Sequence, residues 1–127
     1  MIILDTHAWV WLCSNPDKLS ERARKAIRAS KGLGIAAVSC WELAMLVSQG
    51  RLELDRDPLE WMEDSLVEHE IELLPLTPAI GVASVSLAEF HGDPADRMIV
   101  ATAQVHSAPL VTKDRAITES KLVSVVW

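Results

Sequence analysis

The sequence predicts an α/β fold: a three-layer α/β/α sandwich with a mainly parallel central sheet of four or five strands. Three observations carry that expectation. Short apolar runs recur along the chain, at Met1–Leu4, Leu33–Val38, Ile71–Leu74 and Leu110–Val111, and read as buried strands. Segments with helical start and stop signals lie between them. Strands that alternate with helices pair in parallel and carry helices on the faces of the sheet. With 127 residues the chain is expected to form one domain, 1–127, large enough to bury a core.

Taken in order, Met1–Leu4 ends at Asp5, and His7–Cys13 continues as a helix that Asn15-Pro16 stops. Ser20 caps a helix with Glu21 in its first turn, running to about Lys31, and Gly32 ends it. After the strand Leu33–Val38, Ser39 and Glu42 form a capping-box pair that opens a helix through Leu46, ending near Gly50. Pro58 starts a helix in which Leu59, Met62 and Leu66 share a face, followed by the strand Ile71–Leu74. Thr77-Pro78 opens a helix to about Phe90. In Gly92–Ala103, GDPADRMIVATA, Asp93 is a good N-cap, Pro94 suits the first turn and Asp96 the third helical position. That helix runs to His106. Asp114–Ser120 is a short helical turn after the strand Leu110–Val111, and Leu122–Val126 closes the chain as a weakly alternating strand.

Composition excludes several classes. No apolar run approaches the ~18 residues of a membrane span, and MIILDTH has no basic secretory leader. Cys13 and Cys40 form no metal-type pair, so a reduced cytoplasmic setting is expected. The formal charge of −6 is the wrong sign for holding nucleic acid by bulk electrostatics. Charge is unevenly spread: Lys18, Arg22, Arg24, Lys25, Arg28 and Lys31 gather basic residues in one stretch, and Glu53 to Glu72 gather acids. These read either as solvated helix faces or as a phosphate strip opposite an acidic flank.

Topology brings scattered acids together. In a parallel sheet the loops after the strands' C-terminal ends share one edge, where ligands bind. Asp5 and Asp114 follow strands directly, and Glu42 lies a turn beyond its strand. The helix 94–106 reaches Leu110 through a short link, so it runs back from that edge and starts there with Asp96. Like charges so gathered repel unless a cation sits between them or one takes up a proton. All-oxygen ligands without His or Cys select hard ions, Mg²⁺ or Mn²⁺. Such a site activates water and offsets charge on a phosphodiester. Each acid also has a plain local reading: Asp5 and Asp114 as helix caps, Glu42 as the partner of Ser39, Asp96 as a first-turn acid. Asp93 is foremost an N-cap. Thr6 and Ser39 either cap helices or hold a metal-bound water, and His7 either packs near the first strand or reaches a phosphate. Arg97 and Arg115 either balance the acids or contact phosphates. Trp9, Trp11, Trp41 and Trp61 either stack on bases or form core.

The pieces ILDTHAWVW, SCWELAMLVSQGRLEL, DPADRMIVATA and LVTKDRAI, in that order and spacing, make the whole chain resemble a PIN domain of the VapC type, the toxin of bacterial and archaeal toxin–antitoxin pairs. The family's acids fall on Asp5, Glu42, Asp96 and Asp114, with Asp114 at its most variable position. Asp93 and Thr6 stand as outer-shell candidates. The resemblance implies a Mg²⁺- or Mn²⁺-dependent endoribonuclease acting on RNA, transfer and ribosomal RNA being frequent targets. It also implies a homodimer, and an antitoxin protein that blocks the site and reaches operator DNA in complex with the toxin. Trp9, Trp11, Trp41, Met45 and Leu46 are candidates for a groove that takes an antitoxin helix.

Two other functions compete with this one, and the sequence lacks the pattern of the first. A DxD phosphatase wants an acid where His7 stands, and a phospho-receiver wants paired acids near the first strand and an aspartate near Pro75. The other rival is a catalytically silent PIN-like module that only binds RNA or antitoxin.

Overall fold

The computed structural model describes residues 1–87, 90 and 92–127. Its centre is β1 (Ile2–Leu4), all of whose side chains are buried. A strand apolar on both faces must be covered on both, which places it in the middle of a sheet. β2 (Leu33–Ala36) and β4 (Leu110–Val111) flank it, while β3 (Ile71–Leu74) and β5 (Val125–Val126) form the edges. The order is β3-β2-β1-β4-β5 and every pairing is parallel, with Ile3 in register with Gly34 and Leu110.

Helices α1 (Thr6–Ser14), α2 (Glu21–Ala29), α3 (Ala37–Ser48), α4 (Pro58–Glu68), α5 (Pro78–Val85), α6 (Pro94–Val105) and α7 (Arg115–Ser120) connect the strands. Trp9 of α1 is fully buried in one core, its ring 5.3 Å from that of Trp61 and its Nε1 donating to Ser65 Oγ at 3.0 Å. Ile2, Leu4, Ile35 and Leu43 complete that side. Ile3, Ile99, Val100, Leu110 and Ile117 build the second core. Successive residues of β1 thus serve opposite cores, as the period of two along a strand requires.

Several boundaries differ from the sequence reading, each for a local reason. Ser30 is extended and its Oγ donates to the Gly32 carbonyl at 2.6 Å, so α2 stops at Ala29 rather than Lys31. β2 ends at Ala36 instead of Val38, and α3 starts without a polar cap. The capping box expected of Ser39 and Glu42 is therefore absent: both lie inside α3, and the buried Ser39 hydroxyl accepts from Thr6 at 2.9 Å. α5 ends at Val85, short of Phe90, with the Ser86 amide donating to Ala83; residues 88 and 89 lie outside the described residues. Lys121, left-handed at φ 57°, turns the chain, and the closing strand holds only Val125–Val126. Pro16–Lys18 is a 3₁₀ turn. Gly50, at φ 70°, supplies the stop after α3. Among the described residues no helix is long and apolar enough to cross a membrane.

Candidate active site

At the C-terminal edge of the sheet lies a cavity of about 460 Å³, with Asp5, Glu42, Asp93, Asp96 and Asp114 on its wall. Three of these acids are also helix caps. Asp5 caps α1, its Oδ1 accepting from the Ala8 amide at 2.8 Å. Asp93 caps α6 by accepting from the Asp96 amide at 2.8 Å. Asp114 caps α7 by accepting from the Ile117 amide at 2.8 Å. Capping and site placement are therefore not alternatives here. A capping carboxylate sits where a helix begins, and these helices begin at the edge to which the strands deliver the chain. Glu42 comes instead from the interior of α3.

The closest approach is among Glu42, Asp93 and Asp96, which bring one carboxylate oxygen each within 4.8 Å of one another. Asp93, an outer-shell candidate from sequence, thus stands in the same close group as Glu42 and Asp96. Burial, and then the charges of Asp93, Asp114, Glu42 and Asp5, push the Asp96 carboxyl up to about 7. Burial also raises Asp5, against the opposing hydrogen bonds from Thr112 and Ala8 and the nearby charge of His7, while Glu42 adds to the rise. Four carboxylates repelling a fifth is an electrostatic debt that a proton or a cation discharges.

Thr112 is a residue the sequence reading missed. It is fully buried, donates its hydroxyl to Asp5 Oδ2, and accepts from the Asp114 amide at 3.0 Å. One side chain therefore ties Asp5 and Asp114 together. Arg51 and Lys113 were also missed and line the cavity. The cations singled out from sequence are engaged elsewhere. Arg97 donates from Nε to the Ser84 carbonyl at 3.0 Å and from a terminal nitrogen to the Phe90 carbonyl, and Arg115 pairs with Glu119 at 3.0 Å. Thr6 lines the cavity, and its hydroxyl donates to Ser39. His7 is exposed on the cavity wall. Of the proposed antitoxin groove, Trp9 and Leu46 are buried, which leaves Trp11, Trp41 and Met45 with exposed surface.

The donor set fits a hard divalent ion. Every cavity carboxylate offers oxygen, and no thiol lines the wall. The three carboxylate oxygens of the trio lie within 4.8 Å of one another, close enough to serve one ion together. Gly92 also matters to this arrangement. A Cβ there would stand 2.5 Å from ring carbons of Phe90 and 3.1 Å from the Cβ of Asp96, so any other residue at 92 would force the Phe90 ring to shift.

Comparison with known proteins agrees with this architecture. The family model for the PIN domain matches residues 2–121. Over 117 residues the chain is 41% identical to Ribonuclease VapC22 of Mycobacterium tuberculosis, covering 91% of this chain and 88% of that protein. FitAcB from Neisseria gonorrhoeae has a similar fold, with a TM-score of 0.68 and 21% identity over 98% of this chain and 96% of that one. VapBC2 from Rickettsia felis, solved bound to a DNA fragment from their promoter, gives 0.71 and 16% over 98% and 97%. With a family match across nearly the whole length and a VapC relative at 41% identity, the chain belongs to the PIN-domain family, in its VapC-type branch.

Proposed function

We propose that the protein is the toxin component of a toxin–antitoxin pair and acts as a Mg²⁺- or Mn²⁺-dependent endoribonuclease. The observation that carries this reading is the convergence of Asp5, Glu42, Asp93, Asp96 and Asp114 on one cavity, where burial and then the neighbouring acids push Asp96 up to about 7. The identity to Ribonuclease VapC22 supports RNA as the substrate. The similarity in fold to VapBC2 is consistent with an antitoxin partner. A homodimer in the cytoplasm completes the reading, and operator DNA is reached only through the antitoxin, since a net charge of −6 gives the chain no electrostatic pull toward DNA.

In this scheme Asp5, Glu42, Asp96 and Asp114 would hold the ion, with Asp93 beside them. A bound divalent ion supplies a water acidified for attack and positive charge for the phosphodiester. The protein's own groups do the positioning. Thr112 holds Asp5 and Asp114 in a fixed relation. The starts of α1 and α6 turn the positive ends of their dipoles toward the carboxylates and lessen their repulsion. Arg51 and Lys113 on the wall attract the RNA backbone to a pocket that its own acids would otherwise close to anions.

The test is cleavage of a mixed set of RNAs by purified protein, with ends mapped. Cleavage should require Mg²⁺ or Mn²⁺, stop with chelator, and be absent in Asp96→Asn and Asp5→Asn. RNA binding without turnover by the wild-type protein under all these conditions would instead favour the silent binding module.

A further inference from the structure

The five tryptophans have different fates, and only one faces the acids. Trp9 and Trp61 are buried, and Trp41 is 56% exposed but stands off the cavity wall. Trp11 alone lines the cavity. It is half-buried, and its ring lies 5.7 Å from the exposed His7 at 48° and 5.7 Å from Trp127 at 55°. The three rings are contiguous, and two of them, His7 and Trp11, share the cavity wall with the carboxylates. Its Nε1 has no acceptor among the described residues and is not buried, unlike that of Trp9, which is bonded to Ser65.

Core packing explains the Trp127 contact but not why an indole borders a pocket of carboxylates. We propose that Trp11, steadied by His7, is the base-stacking residue of the site and holds an unpaired nucleobase next to the phosphodiester that is cut. This rests on the endoribonuclease reading and specifies its substrate. Indole faces stack on any base, and stacking is the usual means of gripping single strands. Arg51 and Lys113, on the same wall, hold flanking phosphates. A base inside a duplex has both faces covered by its neighbours, so the strand must be unpaired at the cut. Trp11 is thus a positioning residue. It does not touch the reacting atoms, and its loss acts mainly on KM.

The experiment uses short RNA substrates with one nucleotide at a time replaced by an abasic sugar around the mapped cut. With wild-type protein, one flanking position should lower kcat/KM roughly tenfold or more. Trp11→Leu should lose a similar factor on intact RNA, chiefly through KM, and lose nothing further at that same position. Trp11→Phe should retain part of the effect. A readout without turnover is 2-aminopurine at that position bound to Asp96→Asn, whose fluorescence should be quenched, and no longer quenched once Trp11→Leu is added. Equal tolerance of abasic sugars at every position overturns the proposal, as do Trp11→Leu and abasic losses that simply multiply. If Trp11→Leu does not fold, the wild-type abasic scan with His7→Ala decides. If the wild-type protein cleaves no RNA, the endoribonuclease reading falls and takes this one with it. Cleavage indifferent to abasic sugars sinks this one alone.

Discussion

Replacing Asp96 with Asn should stabilise the metal-free protein at alkaline pH. Asp96 titrates near 7 where its ordinary value is 3.8, because burial and the charges of Asp93, Asp114, Glu42 and Asp5 disfavour its ionised form. That displacement corresponds to about 4 kcal/mol at ~1.36 kcal/mol per pH unit. Asp96 is only partly buried, and solvent screening brings this down to about 2 kcal/mol. Asparagine also forgoes the favourable interaction of a first-turn acid with the helix dipole, about 0.5 kcal/mol. The net gain is about 1.5 kcal/mol, or roughly 6 °C in Tm for a domain of this size. The sign follows from the raised value. A carboxyl raised in the fold stabilises while protonated, so the wild type keeps this contribution below 3.8, loses it as pH rises toward 7, and gains nothing back above that. Asparagine cannot ionise and stays level. Thermal unfolding in chelator should therefore separate the two proteins at about pH 8.5 and bring them together at about pH 4. Added Mg²⁺ should raise the wild-type Tm alone. Coincident melting curves at the alkaline pH, in chelator, would show that the acids do not crowd Asp96.

Thr112→Val should cost about 2 kcal/mol in urea unfolding, since it takes a hydrogen-bond partner from both the half-buried Asp5 carboxylate and the Asp114 amide. RNA cleavage should fall further than that loss of stability explains. Arg97→Met should lower stability by about 2 kcal/mol because its charged donors hold two backbone carbonyls. Arg115→Ala should stay within ~0.5 kcal/mol, because Arg115 and Glu119 are both exposed. Cys13, whose thiol burial and Glu68 push up to about 12, should resist iodoacetamide in the folded protein at neutral pH and react only in denaturant, as mass spectrometry can read.

The strand–helix alternation was legible because buried strands are short apolar runs and helix starts carry local signals. Asp93-Pro94 is the clearest case, and α6 begins at Pro94. The gathering of Asp5, Glu42, Asp96 and Asp114 at one edge followed from topology alone, and they line one cavity. What stayed hidden depends on partners far along the chain. Ser39 has the spacing of a capping box with Glu42, yet its hydroxyl answers Thr6, 33 residues earlier. Thr112 looks like filler in LVTKD and meets Asp5 across 107 residues. Arg97 adjoins a cavity acid but is taken by carbonyls of the preceding segment, while Arg51 and Lys113, with no local mark, face the cavity. Sequence spacing reports on the near neighbour and is silent about such pairings.

That acids of the cavity double as the first residues of helices has an evolutionary consequence. Asparagine opens a helix about as well as aspartate, and the two are one nucleotide apart in the genetic code. At Asp5, Asp93 or Asp114 a single point mutation can therefore remove a charge and leave the scaffold standing. A lineage burdened by the activity has a short road to a disarmed but intact descendant, able to keep whatever associations its outer surface makes.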